Sequence, residues 1–304
     1  MRAVLVDDAL RSAAVVAALL DADPGAAEVV RVGAAVLVRL PGAGTMLRVE
    51  ASNRVASAER QVAAARMLER ADVSAVRLAA LDDQPRHIGP TWVTAWEWID
   101  VLAGRTVEPD DLGALARRLH DRTAPLLADG PDIDVPTLDP FEAIDDQLDA
   151  AAGIGRSSPD DLHLLRTALA DCAERWAAGP ADPLGTALVH GDLHAQNVLV
   201  TRDGPVLVDL ELAGVGPPTY DLAAQVVARE RYGGPETAYR RFATAYGFDL
   251  RDWEGASLRS RTYALWTTAW AVAHRQVSPA NEAEAERRVQ WWRDPTFAPR
   301  WTIL

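Results

Sequence analysis

The stretch LVHGDLHAQNVLV constrains the fold of this chain more than any other part of the sequence. Two apolar runs bracket His190, Asp192, His194 and Asn197, so polar side chains lie between segments with the composition of buried strands. After the later of these runs, VLV, come the turn signal TRDGP and a further apolar run. The two runs on either side of this turn predict a β-hairpin. The polar cluster therefore lies beside the open end of a hairpin.

The spacing of the polar residues indicates phosphoryl transfer. His190, Asp192 and Asn197 fit the pattern H-x-D-x-x-x-x-N, Asp209 follows Asn197 by twelve residues, and Glu211 comes two later. Antiparallel strands bring the ends of a hairpin together, so we expect Asp209 to lie beside Asn197. An aspartate can orient an attacking hydroxyl, and oxygen ligands from Asn and Asp suit Mg²⁺.

A metal-hydrolase cluster of the H-x-D-x-H kind is the first alternative. It needs further histidine or carboxylate ligands from elsewhere in the chain. The remaining histidines are isolated, and this interpretation leaves Asn197 and the D-x-E pair at Asp209 and Glu211 unexplained. His194 is expected to form hydrogen bonds within the loop.

Charge and composition narrow the possible partners. The net charge of −13 argues against nucleic acid or an anionic membrane as a partner, and weakly favours a cationic small molecule. The chain has no lysine, so any phosphate-binding cation must be an arginine. Cys172 is the single cysteine and excludes an internal disulfide. The N-terminal apolar run is too short to span a membrane, and the cytoplasm is the simplest compartment.

The length of 304 residues suggests two domains or one domain split into lobes. Periodicity predicts helices at 7–21 and 57–71, the latter with Ser57 as N-cap, three short strands across 27–51, and strands near 73–81 and 90–99. Helical patterns dominate after residue 100, apart from the hairpin. We expect a nucleotide-binding N-lobe at 1–99 and a C-lobe at 100–304 that carries the catalytic loop, the metal site and the acceptor-binding helices.

Four segments together resemble the aminoglycoside-phosphotransferase-like branch of the protein-kinase-like fold. They are HGDLHAQNVLV, VLVDLELAGVGPPTYDLA, WVTAWEWIDVLAG and MLRVE, and their order runs through roughly residues 25–225. The resemblance implies an α+β, bilobal fold, with a small antiparallel sheet and one helix in the N-lobe and a mostly helical C-lobe. It also implies an enzyme that uses ATP or GTP with Mg²⁺.

The resemblance assigns roles by position. Asp192 would be the catalytic base, Asn197 and Asp209 would bind Mg²⁺, and Glu211 would help a second metal. His190 and Asp221 would support the loop. Arg48 would contact the nucleotide phosphates with Glu59 as its ion-pair partner, and the carbonyl of Trp96 and the N–H of Trp98 would meet the purine.

The N-lobe departs from the family where the phosphates are covered. The first hairpin of the family carries Gly, Ser and Asn, whereas the candidates here are the turns VGAAV and PGAG, both poor in Ser and Asn. The sequence leaves open which of the two covers the phosphates. For Arg48 and Glu59, the structural alternative is a surface arginine and a solvated helix glutamate.

The acceptor is the least constrained part of the prediction. Tyr263, Trp266 and Trp270 share one face of a helix, and either pack in the core, which we favour, or form an aromatic wall for the acceptor.

The acceptor is expected to be a small hydroxylated molecule. An aminoglycoside or another antibiotic is the first expectation, with antibiotic resistance as the role. A sugar, amino alcohol or nucleoside is the second, and a non-catalytic nucleotide- or ligand-binding protein is an alternative from another class. The oligomeric state cannot be read from the sequence.

Overall fold

The computed structural model describes residues 2–128, 130, 133–297 and 299–303, with side chains in the first helix described from Val6 onward. The chain forms two compact units. The first contains residues 1–107, 121–136 and 195–214, and the second contains 108–120, 137–194 and 215–304. The lobe boundary near residue 99 remains a prediction, and the hairpin after the catalytic loop belongs to the first unit.

The helices and strands have the following bounds. The helices are α1 (Arg2–Leu19), α2 (Val55–Arg70), α3 (Pro109–Ala128), α4 (Pro140–Ile154), α5 (Pro159–Ala177), α6 (Thr219–Glu230), α7 (Glu236–Tyr246), α8 (Ala256–Ala273) and α9 (Pro279–Arg293). The strands are β1 (Glu28–Val32), β2 (Val36–Leu40), β3 (Thr45–Ala51), β4 (Arg86–Ile88), β5 (Thr91–Glu97), β6 (Ala187–Val189), β7 (Val198–Thr201), β8 (Gly204–Leu207) and β9 (Gly214–Gly216).

The first unit is built on an antiparallel sheet in the order β1-β2-β3-β5-β4. Side chains alternate between the two faces of each strand, and one face packs against α1. That core consists of Ala9, Ala13, Val16, Ala17, Val36, Val38, Leu40, Leu47, Val49, Val93 and Ala95. Because Leu47 and Val49 point to this core, the intervening Arg48 and the following Glu50 share the other face.

The predicted hairpin is confirmed as β7 and β8, which pair from Val198 with Leu207 to Thr201 with Gly204. The strand predicted at 73–81 is wrong. Residues 74–76 bond to Leu207, whereas 77–79 bond to β5, so the segment is divided between two partners and forms only isolated bridges.

The predicted N-cap at Ser57 is also wrong. Helix α2 begins at Val55, and the Ser57 hydroxyl donates a hydrogen bond to the carboxylate of Glu50 instead. A serine inside the first turn can bond to a neighbouring side chain as readily as it can cap, so the residue type alone did not fix the start of the helix.

The second unit is organised around α8, which packs against α4, α5, α6 and α9. Residues of α8 are buried on most of its circumference, as expected of a helix in the middle of a helical core. Clear sequence signals start the flanking helices: Asp139 caps α4 and Ser158 caps α5, each followed by proline at the first helical position. No helix in the described part of the chain is long and apolar enough to cross a membrane.

Candidate active site

The loop of the second unit that is predicted to be catalytic is held by Asp221. The loop leaves β6 at His190, and the Asp221 carboxylate, at the start of α6, accepts hydrogen bonds from the backbone N–H groups of His190 and Gly191, each at 2.8 Å. Gly191 has a φ of 82°, which favours glycine at this position. Asp221 is buried, and His120 on α3 contacts it through Nε2 at 3.0 Å. The loop backbone is therefore fixed by a buried carboxylate.

Asp192 follows the fixed turn, and each of its carboxylate oxygens has a partner. The Tyr263 hydroxyl donates a hydrogen bond to Oδ1 at 2.6 Å, and His194 Nε2 lies 3.3 Å from Oδ2. The backbone N–H of Asp192 donates to Nδ1 of His190. Burial raises the pKa of Asp192, but the hydrogen bonds from His194 and Tyr263 outweigh it and the net direction is downward. The carboxylate is therefore ionised at neutral pH.

The predicted aromatic face of α8 divides into different environments. Tyr263 is buried with its hydroxyl on Asp192, so this residue contacts the loop directly. Trp266 is buried in the helical core, which fits the core-packing interpretation. Trp270 stacks on His274 with ring centroids 4.2 Å apart. An acceptor wall of these residues stays a prediction.

In the first unit, the hairpin brings together the residues predicted to bind metal. The carbonyl of Asn197 accepts a hydrogen bond from the N–H of Val208 at 3.0 Å, so the residue before Asp209 bonds to Asn197. Strand β8 ends at Leu207, and Asp209 has a left-handed backbone with a φ of 63°, which aspartate tolerates better than most residues. A short helical turn then carries Glu211.

Arg48 lies among three carboxylates. Its guanidinium forms a hydrogen bond with Glu211, and it lies 3.5 Å from Asp209 Oδ1 and 3.6 Å from Glu50 Oε1. Burial lowers the pKa of Arg48. The charges of Glu211, Glu50 and Asp209 raise it by more than burial lowers it, so the pKa is raised overall. Arg54 also contacts Glu211, at 3.4 Å.

The predicted pairing of Arg48 with Glu59 is wrong. Glu59 is exposed on α2, and the ion pairs of Arg48 within the described part of the chain go to Glu50, Asp209 and Glu211. Helix α2 instead presents Gln61, whose amide donates to Glu50 at 3.2 Å. The sequence contained a clue, because Glu50 lies two residues after Arg48 and therefore on the same face of a strand.

The structure contradicts the predicted purine contacts of Trp96 and Trp98. The N–H of Trp98 donates to the carbonyl of Gly44 at 2.7 Å, and Trp96 pairs with Met46 in the same register, so both residues direct their backbone groups towards β3. The N–H of Glu97 points the other way and donates to Arg77. If the alternation of β5 continues past its end at Glu97, the carbonyl of Glu97 and the N–H of Ile99 lie on that outer side as well.

The strand register distinguishes the two glycine turns. The β1–β2 turn at residues 33–35 joins Val32 to Val36, and Val36 pairs with Val49 beside Arg48. The PGAG turn lies at the opposite end of β2 and β3, where Gly44 bonds to Trp98. The turn at the Arg48 end is therefore VGAAV.

The donor set in the first unit fits Mg²⁺. Asn197 and Asp209 offer an amide and a carboxylate oxygen, and the side chains of Asp209 and Glu211 are 37% and 28% exposed, so a hydrated ion can reach them. Burial and the neighbouring Asp209 raise the pKa of Glu211 against the opposing effect of Arg48 and Arg54, as expected where anions are crowded. Among the described residues, no group of three or more His, Cys, Asp or Glu is arranged to hold a metal.

Solved structures define the class of the fold. The chain superposes with a TM-score of 0.71 on an amicoumacin kinase in complex with AMP-PNP, Ca²⁺ and Ami, at 14% identity and covering 92% of this chain and 91% of that one. For a choline/ethanolamine kinase family protein from Mesorhizobium loti the TM-score is 0.60, with 21% identity and 96% of each chain covered. For the aminoglycoside phosphotransferase APH(3'')-Id from Streptomyces rimosus it is 0.61, with 20% identity and 84% and 97% covered. The predicted bilobal kinase-like fold class is confirmed.

The sequence then gives the family. Residues 28–259 match the phosphotransferase enzyme family, and the chain belongs to it. No curated protein is significantly similar to the chain in sequence. The protein is a small-molecule kinase, as the sequence predicted.

Proposed function

We propose that the protein transfers the γ-phosphoryl group of ATP or GTP to a hydroxyl of a small molecule, with Asp192 as the base. The observation that carries this proposal is the environment of Asp192. Its loop is fixed through Asp221, and its carboxylate is kept ionised by hydrogen bonds from Tyr263 and His194. A positioned, ionised carboxylate can orient an acceptor hydroxyl and take its proton.

The nucleotide is assigned to residues of the first unit. Arg48 would contact the phosphates, and its planar guanidinium can serve two oxygens at once. Asn197 and Asp209 would hold Mg²⁺, with Glu211 available for a second ion. When bound, Mg²⁺ would neutralise charge on the phosphates. The carbonyl of Glu97 and the N–H of Ile99 would meet the purine edge.

For the acceptor we propose an aminoglycoside or another antibiotic first. Similar structures include a kinase named for amicoumacin and a complex of APH(3'')-Id with ADP and streptomycin. The charge of −13 is compatible with a cationic acceptor. The similarity to a choline/ethanolamine kinase family protein supports an amino alcohol as the second candidate, ahead of a sugar or nucleoside. A cytoplasmic location and a role in antibiotic resistance belong to the same proposal.

Turnover of nucleotide with a panel of acceptors tests the assignment of Asp192. We expect at least one hydroxylated acceptor to stimulate release of nucleoside diphosphate, and Asp192→Ala to lower kcat by about 10²-fold or more. The control is Asp171→Ala, on the exposed part of α5. Asp182→Ala is unsuitable as a control because Asp182 contacts Thr219 in the buried part of the second unit. Near wild-type turnover in Asp192→Ala would remove Asp192 from catalysis. Nucleotide binding without turnover for any acceptor would favour the non-catalytic alternative.

A further inference from the structure

The three carboxylates around Arg48 differ in their access to solvent. The side chains of Asp209 and Glu211 are partly exposed, whereas the side chain of Glu50 is 1% exposed. A ligand that arrives from solvent can therefore reach Asp209 and Glu211 but not Glu50. If Asp209 and Glu211 bind metal, as proposed above, Glu50 would be the carboxylate left to pair with Arg48.

Helix α2 holds Glu50 in place. The Ser57 hydroxyl donates to Oε1 at 3.2 Å, and the Gln61 amide donates to Oε2 at 3.2 Å. Gln61 is itself buried, and its amide also bonds to the carbonyl of Ser57. The helix thus fixes an anion that belongs to strand β3 without contributing a charge of its own.

A buried carboxylate is stable only when it is paired and hydrogen-bonded. Glu50 meets this condition through α2 and through Arg48 and Arg54, whose nearest nitrogens lie 3.6 and 3.7 Å away. Strand alternation fixes Arg48 and Glu50 on the same face of β3. Glu50 thus connects α2, through two hydrogen bonds, to the guanidinium of Arg48, through an ion pair at 3.6 Å.

We propose that Glu50 is a positioning residue of the nucleotide site, which, held by Gln61 and Ser57, keeps the Arg48 guanidinium aligned for the nucleotide phosphates. The inference rests on the proposed function, because it takes Arg48 to be the phosphate contact. The anion that aligns Arg48 then lies on the strand, and the helix contributes the amide that holds it.

An exchange of acid and amide between positions 50 and 61 tests this arrangement. The two side chains meet at 3.2 Å, so Glu50→Gln combined with Gln61→Glu keeps one carboxylate, one amide and nearly the same volume. Glu50→Gln alone keeps the shape but removes the charge. Glu69→Gln is the matched control, since it makes the same change on α2 in an exposed pair with Arg77.

The measurements are the dissociation constant of Mg²⁺-ATP by calorimetry and, with an active acceptor, the KM values of both substrates. For Glu50→Gln we expect nucleotide binding about tenfold weaker, because Arg48 loses the buried partner of its ion pair, with little change in the KM of the acceptor. In the double variant we expect affinity within about threefold of wild type. Glu69→Gln should match wild type.

The outcomes separate this inference from the proposed function. If the wild-type protein binds neither ATP nor GTP, the proposed function fails. If the wild type binds and Glu50→Gln binds equally well, or a folded double variant is no better than the single one, Glu50 does not position Arg48. If Glu50→Gln alone does not fold, the double variant decides: recovery of both fold and binding supports the inference, and a folded double variant that cannot bind nucleotide overturns it.

Discussion

At the scale of single residues, the protonation state of Asp192 depends on two hydrogen bonds that oppose its burial. Burial favours the neutral acid, whereas Tyr263 and His194 favour the carboxylate. The Tyr263 hydroxyl makes the shorter contact, at 2.6 Å, and belongs to the buried helix α8. Tyr263 therefore orients the carboxylate and, together with His194, favours its ionised form.

Tyr263→Phe should lower kcat by about threefold to tenfold, the usual effect of losing one hydrogen bond. Because the pKa of Asp192 is lowered in the native protein, activity is lost only as pH falls through that depressed value. Removal of the Tyr263 bond raises this pKa, so the acidic limb of the pH–kcat profile should move to higher pH. Tyr239→Phe removes a similar bond, to Asp249, and should leave the limb unchanged. An unshifted limb in Tyr263→Phe would show that His194 and His190, and not Tyr263, lower the pKa of Asp192.

At the scale of elements, register decides which backbone groups of β5 can meet a ligand. A one-residue change reverses the direction of every backbone group in an extended strand. The sequence predicted strand β5 but not which of its backbone groups face β3, because apolar and aromatic residues occupy both faces of TWVTAWE and give no alternation. The pairing of β5 with β3 and the bond from Trp98 to Gly44 show which groups face β3.

The corrected register predicts how the purine is read. If Ile99 donates its N–H to N1 of adenine, an ATP analogue with CH at position 1 loses that bond and should bind about threefold to tenfold more weakly. An analogue with CH at position 7 keeps the N1 edge and should bind nearly as well as ATP. Competition against a fluorescent nucleotide measures both. Equal binding of ATP and the N1 analogue would show that this edge is not read by Ile99.

The same reasoning explains which elements the sequence could predict. Long periodic helices and the β7–β8 hairpin were predicted because their signals are local. Strand β4 was missed because Arg86–Ile88 is too short for a periodic pattern, and the helix partner of Arg48 was misassigned to Glu59. Glu50 and Gln61 are adjacent only through the packing of α2 on the sheet, which no local pattern records. Tyr263 and Asp192 are likewise joined by tertiary structure alone.

At the scale of the whole molecule, ligand binding adds to the free energy of unfolding. Ordinary domains are stable by only about 5–15 kcal/mol, so a ligand at a hundred times its dissociation constant, which contributes about 2.7 kcal/mol, is readily detected. Of the metal-binding residues proposed here, Asp209 and Glu211 are partly exposed beside a short turn and contribute little to the core, whereas Asn197 is buried. Binding and folding can therefore be separated by substitution at Asp209 and Glu211.

We expect Mg²⁺ with ATP or GTP to raise the melting temperature of the wild-type protein, and either nucleotide without Mg²⁺ to raise it much less. Asp209→Ala should abolish the Mg²⁺-dependent part, because it removes one of the two proposed ligands, while Asp203→Ala in the exposed hairpin turn should retain it. Thermal denaturation of the three proteins with each nucleotide measures the effect and identifies the preferred purine. A full Mg²⁺-dependent shift in Asp209→Ala would exclude Asp209 as a ligand. No shift in the wild type would mean that the short VGAAV turn, with neither Ser nor Asn, does not support phosphate binding.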